Sequence, residues 1–254
     1  MHADFSVELG RDDAALEMPW TSPEPTVRYY DLKSHPELVR QIPEAVTHPE
    51  LAAFLTRINA AGFPLATAKC DAWASREVAP EEEIFGDRKF VSYVDLVFED
   101  ASKRCSFEKH EAFAKDLCGL LGQAPEIPAA VEVVIRRCYY QGEGSLPEDA
   151  SQAGAGDQDA LEVEFEAEDR ARAGEAATEG ERSEADIEKA GEAKRLDERV
   201  ADERTRLSGP RESVSGFCFT AYVTGFGDSD HEPRLRWQIA LALLQNALVQ
   251  LARD

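Results

Sequence analysis

A chain of 254 residues, 43% hydrophobic and 8% aromatic, has room for one large or two small domains around a packed core. Its 50 Asp and Glu against 28 Lys and Arg leave a formal charge of -22, which repels nucleic acid and anionic lipid at neutral pH. No compact basic stripe offsets that repulsion, so neither nucleic acid nor membrane is expected as a partner.

The N-terminus, MHADFSVELGRDD, has neither the basic nor the apolar region of a secretory signal. The longest apolar run, residues 237–252, is interrupted by Gln238, Gln245, Asn246 and Gln250 and is too short to span a bilayer. Five cysteines, odd in number and without C-x-x-C spacing, give no disulfide framework. A cytoplasmic location is the expectation.

In chain order, residues 5–9 carry a short alternating run, and a turn-rich stretch with Pro19, Pro23 and Pro25 follows. Residues 26–32 (TVRYYDL) are predicted as a short strand. HPELVRQI and HPELAAFLTRINAAG each place Pro where a helix begins. Leu51, Phe54, Leu55 and Ile58 then make one helical stripe that Gly62 ends.

The pattern next changes to period 2. Residues 65–75 put Ala66, Ala68, Cys70, Ala72 and Ala74 on one face and Thr67, Lys69, Asp71 and Trp73 on the other. FVSYVDLVFED sets Phe90, Val94, Leu96 and Phe98 opposite Val91, Tyr93, Asp95 and Val97. A helix over 106–123 follows, with Ser106 as N-cap and Phe113, Leu117, Leu120 and Leu121 as its stripe. Residues 129–141 and 216–227 read as two further strands. Asp228, Ser229 or Asp230 can cap, and Pro233 can open, a last helix carrying Leu241, Leu244, Leu248 and Leu251.

The order strand, strand, helix thus occurs twice, and YVDLVFED (93–100) is echoed by YVTGFGDS (222–229). The predicted fold is α+β: an antiparallel ββαββα sheet with helices on one face, an internal duplication of ββα units, preceded by a small segment, 1–62, packed on the core. Setting Tyr93 on Tyr222 matches Phe90 with Phe219 and Val94 with Val223. Cys70 and Cys138 then fall near equivalent places, and are close if the two first strands are neighbours. The core is assigned to 63–141 and 214–254.

Residues 142–213 interrupt the second unit. They hold about 22 acidic and 10 basic side chains and few apolar ones, too little apolar surface to offset the entropy of ordering. This acidic low-complexity insertion is expected to be disordered. Ile187, Leu196, Val200 and Leu207 form a weak stripe that a partner can make helical.

No phosphate loop, G-x-S-x-G elbow or H-E-x-x-H pattern is present. Cys105, His110 and Cys118 match no tetrahedral zinc spacing, and neither a metal nor a cofactor is expected. What remains is the sheet face turned away from the helices. Lys69, Asp71, Trp73, Tyr93, Asp95, Thr220, Tyr222 and Thr224 are predicted there, joined by Arg137 and Tyr139 or by Arg136 and Tyr140. Aromatics beside carboxylates and hydroxyls suit a ligand pocket or an interface. A competing expectation has residues 1–62 cover this face, with Leu51, Phe54 and Ile58 on Trp73 and Tyr93.

Two functions follow. One is a non-enzymatic binding protein for a protein partner, or a homodimer, with the acidic loop as spacer or partner-recognition arm. The other is a small-molecule enzyme or sensor with Asp71 or Asp95 as acid or base. The sequence leaves enzymatic activity open.

Overall fold

Alternation sets the two central strands. β4 (Arg88–Phe98) turns Phe90, Val94, Leu96 and Phe98 into the main core, and β6 (Ser213–Gly227) adds Phe217, Phe219, Ala221 and Val223. They pair antiparallel, Tyr93 directly opposite Tyr222. β3 (Leu65–Ser75) flanks β4 and β5 (Ala129–Gln141) flanks β6, again antiparallel. β1 (His2–Glu8) and β2 (Leu16–Met18) lie in line along the free edge of β5. In this computed structural model, which describes residues 1–22, 28–80, 82–141 and 213–253, the described strands form one six-stranded sheet of order β1-β5-β6-β4-β3. Residues 1–141 and 213–254 belong to one compact unit.

The predicted α+β class and the ββα order are present, with a correction to the sheet: β1 and β2 run parallel to β5, so it is mixed. Alternation in residues 5–9 specifies a strand but not its direction, which is set by the edge it meets. The predicted strand at 26–32 is also corrected. Arg28–Asp31 are not strand, and Thr26 and Val27 lie outside the described residues. The Asp31 carboxylate accepts from the amides of Lys33 (3.0 Å) and Ser34 (3.1 Å), a local turn that competes with extension.

Five helices are described: α1 (Pro43–Thr47), α2 (Pro49–Ile58), α3 (Ala101–Arg104), α4 (Phe107–Leu121) and α5 (Glu232–Leu251). HPELVRQI itself forms a 3-10 turn, Pro36–Gln41. Ser106 caps α4 as predicted, accepting from the Lys109 amide at 3.3 Å. Its innermost stripe is His110, Ala114, Leu117 and Leu121, one step round from the predicted one, with Phe113 and Leu120 only partly buried. At α5, Ser229 accepts from the Glu232 amide (3.2 Å) while the Glu232 carboxylate accepts from the Asp228 amide (3.1 Å).

The expectation that Leu51, Phe54 and Ile58 cover Trp73 and Tyr93 is overturned. These residues of α2 are fully buried in the main core beside Trp237 and Leu244 of α5, on the same face as α4. A stripe of this size gains about 1.5–3 kcal/mol per side chain only against an apolar surface. On the opposite face, Asp95 and Thr220 form a polar centre, and its apolar end is covered by Leu16, Met18 and Trp20. α5 lies unusually close to the sheet: a Cβ at Gly225 would meet the Pro233 carbonyl at 2.1 Å. Trp237, completely buried, donates its indole N–H to Ser92 at 2.8 Å.

Residues 142–212, which hold nearly all of the predicted acidic insertion and its weak helical stripe, lie outside the described residues. No described helix is long and apolar enough to cross a membrane.

Candidate functional site

Strand register assembles the sheet face opposite the helices into rows. The central row reads Asp71 (β3), Tyr93 (β4), Tyr222 (β6), Glu132 (β5) and Asp4 (β1), each directly opposite the next. Beside it run Trp73, Val91, Thr224, Ala130 and His2. The aromatic rings form a chain: Trp73 to Tyr93 at 6.3 Å between centroids, Tyr93 to Tyr222 at 5.9 Å. The Arg136 guanidinium lies 5.6 Å from the centre of the Tyr222 ring, within cation–π range. Trp73 is 40% exposed, Tyr93 and Tyr222 are half-buried, and Asp71, Glu132 and Asp4 are exposed. The row is therefore two rings bracketed by three carboxylates.

Under the rings lies a polar network. Thr220 donates its hydroxyl to Asp95 (2.6 Å) and receives a hydrogen bond from Arg136 (3.3 Å). Arg136 also donates to the Tyr222 hydroxyl (3.3 Å) and bridges to Glu8 at 2.8 Å. Asp95 is 6% exposed, and burial pushes its carboxyl above the ordinary range, opposed by the Thr220 hydrogen bond and by Arg136 and Lys69. Burial, with Asp95 and Asp71 nearby, pushes the Tyr93 phenol up to about 12. These groups hold the rings upright; none is a free base at the surface.

Asp71, Trp73, Tyr93, Tyr222 and Thr224 are brought together on this face as expected, with Asp95 beneath them. Lys69 is set apart by its contact, its ammonium 4.8 Å from the centre of the Trp20 ring, which packs on the same side of the sheet. The cause is a bulge. Thr67 pairs with Leu96 but Cys70 with Val94, so β3 holds one residue too many between them. Parity flips there, correcting the predicted faces. Leu65 packs in the main core and Thr67 is buried against α2, whereas Ala66 and Ala68 join the opposite side; beyond the bulge Cys70 and Ala72 face the main core. Asn59 fixes the first half, donating to the Thr67 hydroxyl (2.7 Å) and accepting from its amide (3.1 Å). Trp20 fixes the bulge itself, donating to the Ala68 carbonyl at 2.9 Å.

Of the two alternatives for VIRRCYYQ, Arg136 and Tyr140 face this side, with Cys138 between them. Leu16, Met18 and Trp20 cover that end of the face, packing on Ala66, Val97, Cys138, Tyr140 and Cys218. Cys70 and Cys138 are not neighbours: β4 and β6 separate their strands, and they point to opposite faces. Val131, opposite Val223, occupies the place that Cys70 has opposite Val94. Cys138 is instead beside Cys218, whose thiol is pushed far up by its hydrogen bond with Cys138 and by burial. Burial likewise lifts the Cys70 thiol to about 12, so it is not an activated nucleophile.

Glu132, Asp4 and Glu8 were missed by the sequence reading. Glu132 left a signal, a lone carboxylate inside AAVEVVI, but only the register of β5 on β6 sets it against Tyr222. Among the described residues no three His, Cys, Asp or Glu side chains are placed to hold a metal. Asp230, from the DSD stretch, pairs with Arg88. No protein-family model matches the chain, and no curated protein and no solved structure matches it significantly.

Proposed function

We propose that the protein is a cytoplasmic, non-enzymatic binding module that takes a basic peptide segment of a partner protein on the open sheet face. The observation carrying this reading is the row Asp71–Tyr93–Tyr222–Glu132–Asp4, rings at the centre and carboxylates at both ends. Lys and Arg stems lie on rings while their charged heads reach flanking carboxylates. The chain's own Arg136 already uses Tyr222 in this way. A net charge of -22 steers a basic segment toward the protein and repels acidic competitors.

Each exposed cation–π contact is worth about 0.5–1 kcal/mol and each surface ion pair no more. A few together give a Kd on the order of millimolar that weakens as salt rises. Titrating Lys/Arg-rich and sequence-scrambled neutral peptides into the full chain tests this by calorimetry. Trp73→Ala and Glu132→Gln should each weaken the basic peptide several-fold while melting as the wild type does. Equal affinity for both peptides, or variants that bind unchanged, would sink the proposal. Self-association through this face, seen as mass rising with concentration before peptide is added, would also count against it.

A second reading, a sensor or enzyme for a small cationic ligand, draws on the raised carboxyl of Asp95 directly below the rings. It requires Asp95→Asn to abolish binding of a small quaternary amine such as choline in a protein that still folds.

A further inference from the structure

Four cations of this acidic chain line a single cavity of about 260 Å³ on the helix side of the sheet. Arg76 follows the end of β3, Arg88 and Lys89 open β4, and Arg234 lies in the first turn of α5. Ala74, Phe90 and Pro233 supply apolar wall, and Ser229 a hydroxyl. Asp230 is the one carboxylate among the described lining residues.

The partners of these cations divide them. Arg88 is bound to Asp230 and lies 3.5 Å from Asp87, and Lys89 reaches Glu82 at 2.8 Å. Arg76 and Arg234 have no ion pair with any described residue, although acidic side chains outnumber basic ones nearly two to one in the whole chain. Gathering like charges around a hollow costs stability, and nothing in the core requires it. Buried behind Phe90, the His48 ring stands 5.1 Å from the phenyl centroid with its Nδ1 unpartnered, and burial with Arg234 nearby pushes its pKa down.

We infer that this cavity is an anion site for a small phosphate-bearing ligand. Arg76 and Arg234, unpaired among the described residues, face it from two sides and can donate forked hydrogen bonds to phosphate oxygens. The size suits a phosphate or a short phosphate ester and is below that of a drug-sized pocket. The site lies on the opposite side of the sheet from the aromatic row and does not depend on what binds there.

The test is calorimetric titration of the full chain with inorganic phosphate, pyrophosphate and glycerol phosphate, at fixed ionic strength in chloride. Saturable one-to-one binding of at least one of them is expected. Arg76→Gln with Arg234→Gln should weaken it about tenfold or more without lowering the melting temperature of the free protein, since neither side chain has a described ion pair to lose. Arg57→Gln, on α2, should leave it unchanged. Preference for inorganic phosphate over pyrophosphate and glycerol phosphate identifies the free ion as ligand; preference for either of the other two identifies a phosphorylated metabolite. No saturation with any probe up to about 10 mM, or equal loss in Arg57→Gln, would overturn the inference, the latter showing charge screening without a site.

Discussion

Two buried titratable side chains respond to pH in opposite senses. Asp95 has a carboxyl held above its ordinary 3.8, chiefly by burial. The folded state therefore keeps its proton longer than the unfolded one. Its contribution to stability is full below about 3.8 and is lost as pH rises through the raised folded value. Asp95→Asn carries no such charge, so its stability relative to wild type should improve from pH 4 to pH 7 in urea melts. No improvement would mean that Thr220 and Arg136 fully compensate the buried carboxylate. His110 is the reverse case. It is completely buried against Phe98, Phe217 and Phe219, with Nδ1 2.8 Å from the Ser106 carbonyl and Nε2 without a hydrogen bond of good geometry. Burial pushes its pKa below 6.5, opposed more weakly by the Ser106 and Phe217 backbone. The stability it contributes is present above 6.5 and lost as pH falls through the lowered value. His110→Phe should flatten the acid side of the stability profile between pH 5 and 7.

Among the elements, the contact of α5 with β6 is the tightest and the easiest to break. Gly225→Ala would drive a methyl into the Pro233 carbonyl and the Trp237 amide, 2.1 and 2.3 Å from the new Cβ. Backbone cannot swing aside as a side chain does, so a loss of about 1–3 kcal/mol or more is expected in denaturant unfolding. Trp237→Ala should cost about 3–5 kcal/mol by cavity formation, and it also leaves Ser92 without its indole donor. Both substitutions act on the helix side of the sheet, opposite the outer rings. Native-like peptide binding by whatever fraction remains folded would separate core from site.

For the whole molecule, the notable join is between β5 and β6. Gln141 lies directly opposite Ser213, so the strand ends that residues 142–212 connect are already side by side. Replacing those residues with a two-residue Asn-Gly turn should preserve the sheet. It should also raise stability by about 2–3 kcal/mol through a smaller loop-closure entropy. A large loss in thermal or urea unfolding would show that 142–212 contribute to folding of the core. The same variant lowers the negative charge by about half. Slower association of a basic peptide, with the dissociation rate unchanged, is then the expected kinetic signature.

The repeated strand–strand–helix order, the inward residues of β4 and β6, the Ser106 cap and the apolar stripe of α2 were legible because each depends on near neighbours in sequence. So was the gathering of Asp71, Trp73, Tyr93, Tyr222 and Thr224 on one face, since alternation assigns a face without naming a partner. Which strands touch is a long-range matter, and it decided the rest. The edge of β5 made β1 and β2 parallel. One surplus residue in β3, held by Asn59 and Trp20, set Lys69 against the Trp20 ring. Register brought Glu132 and Asp4 to the acidic end of the aromatic row, and the close of α5 on the ends of β3 and β4 drew Arg76, Arg88, Lys89 and Arg234 around one cavity. Local periodicity determines which way a side chain points; only the packed sheet determines what it points beside, because that depends on which other strands and loops pack against it.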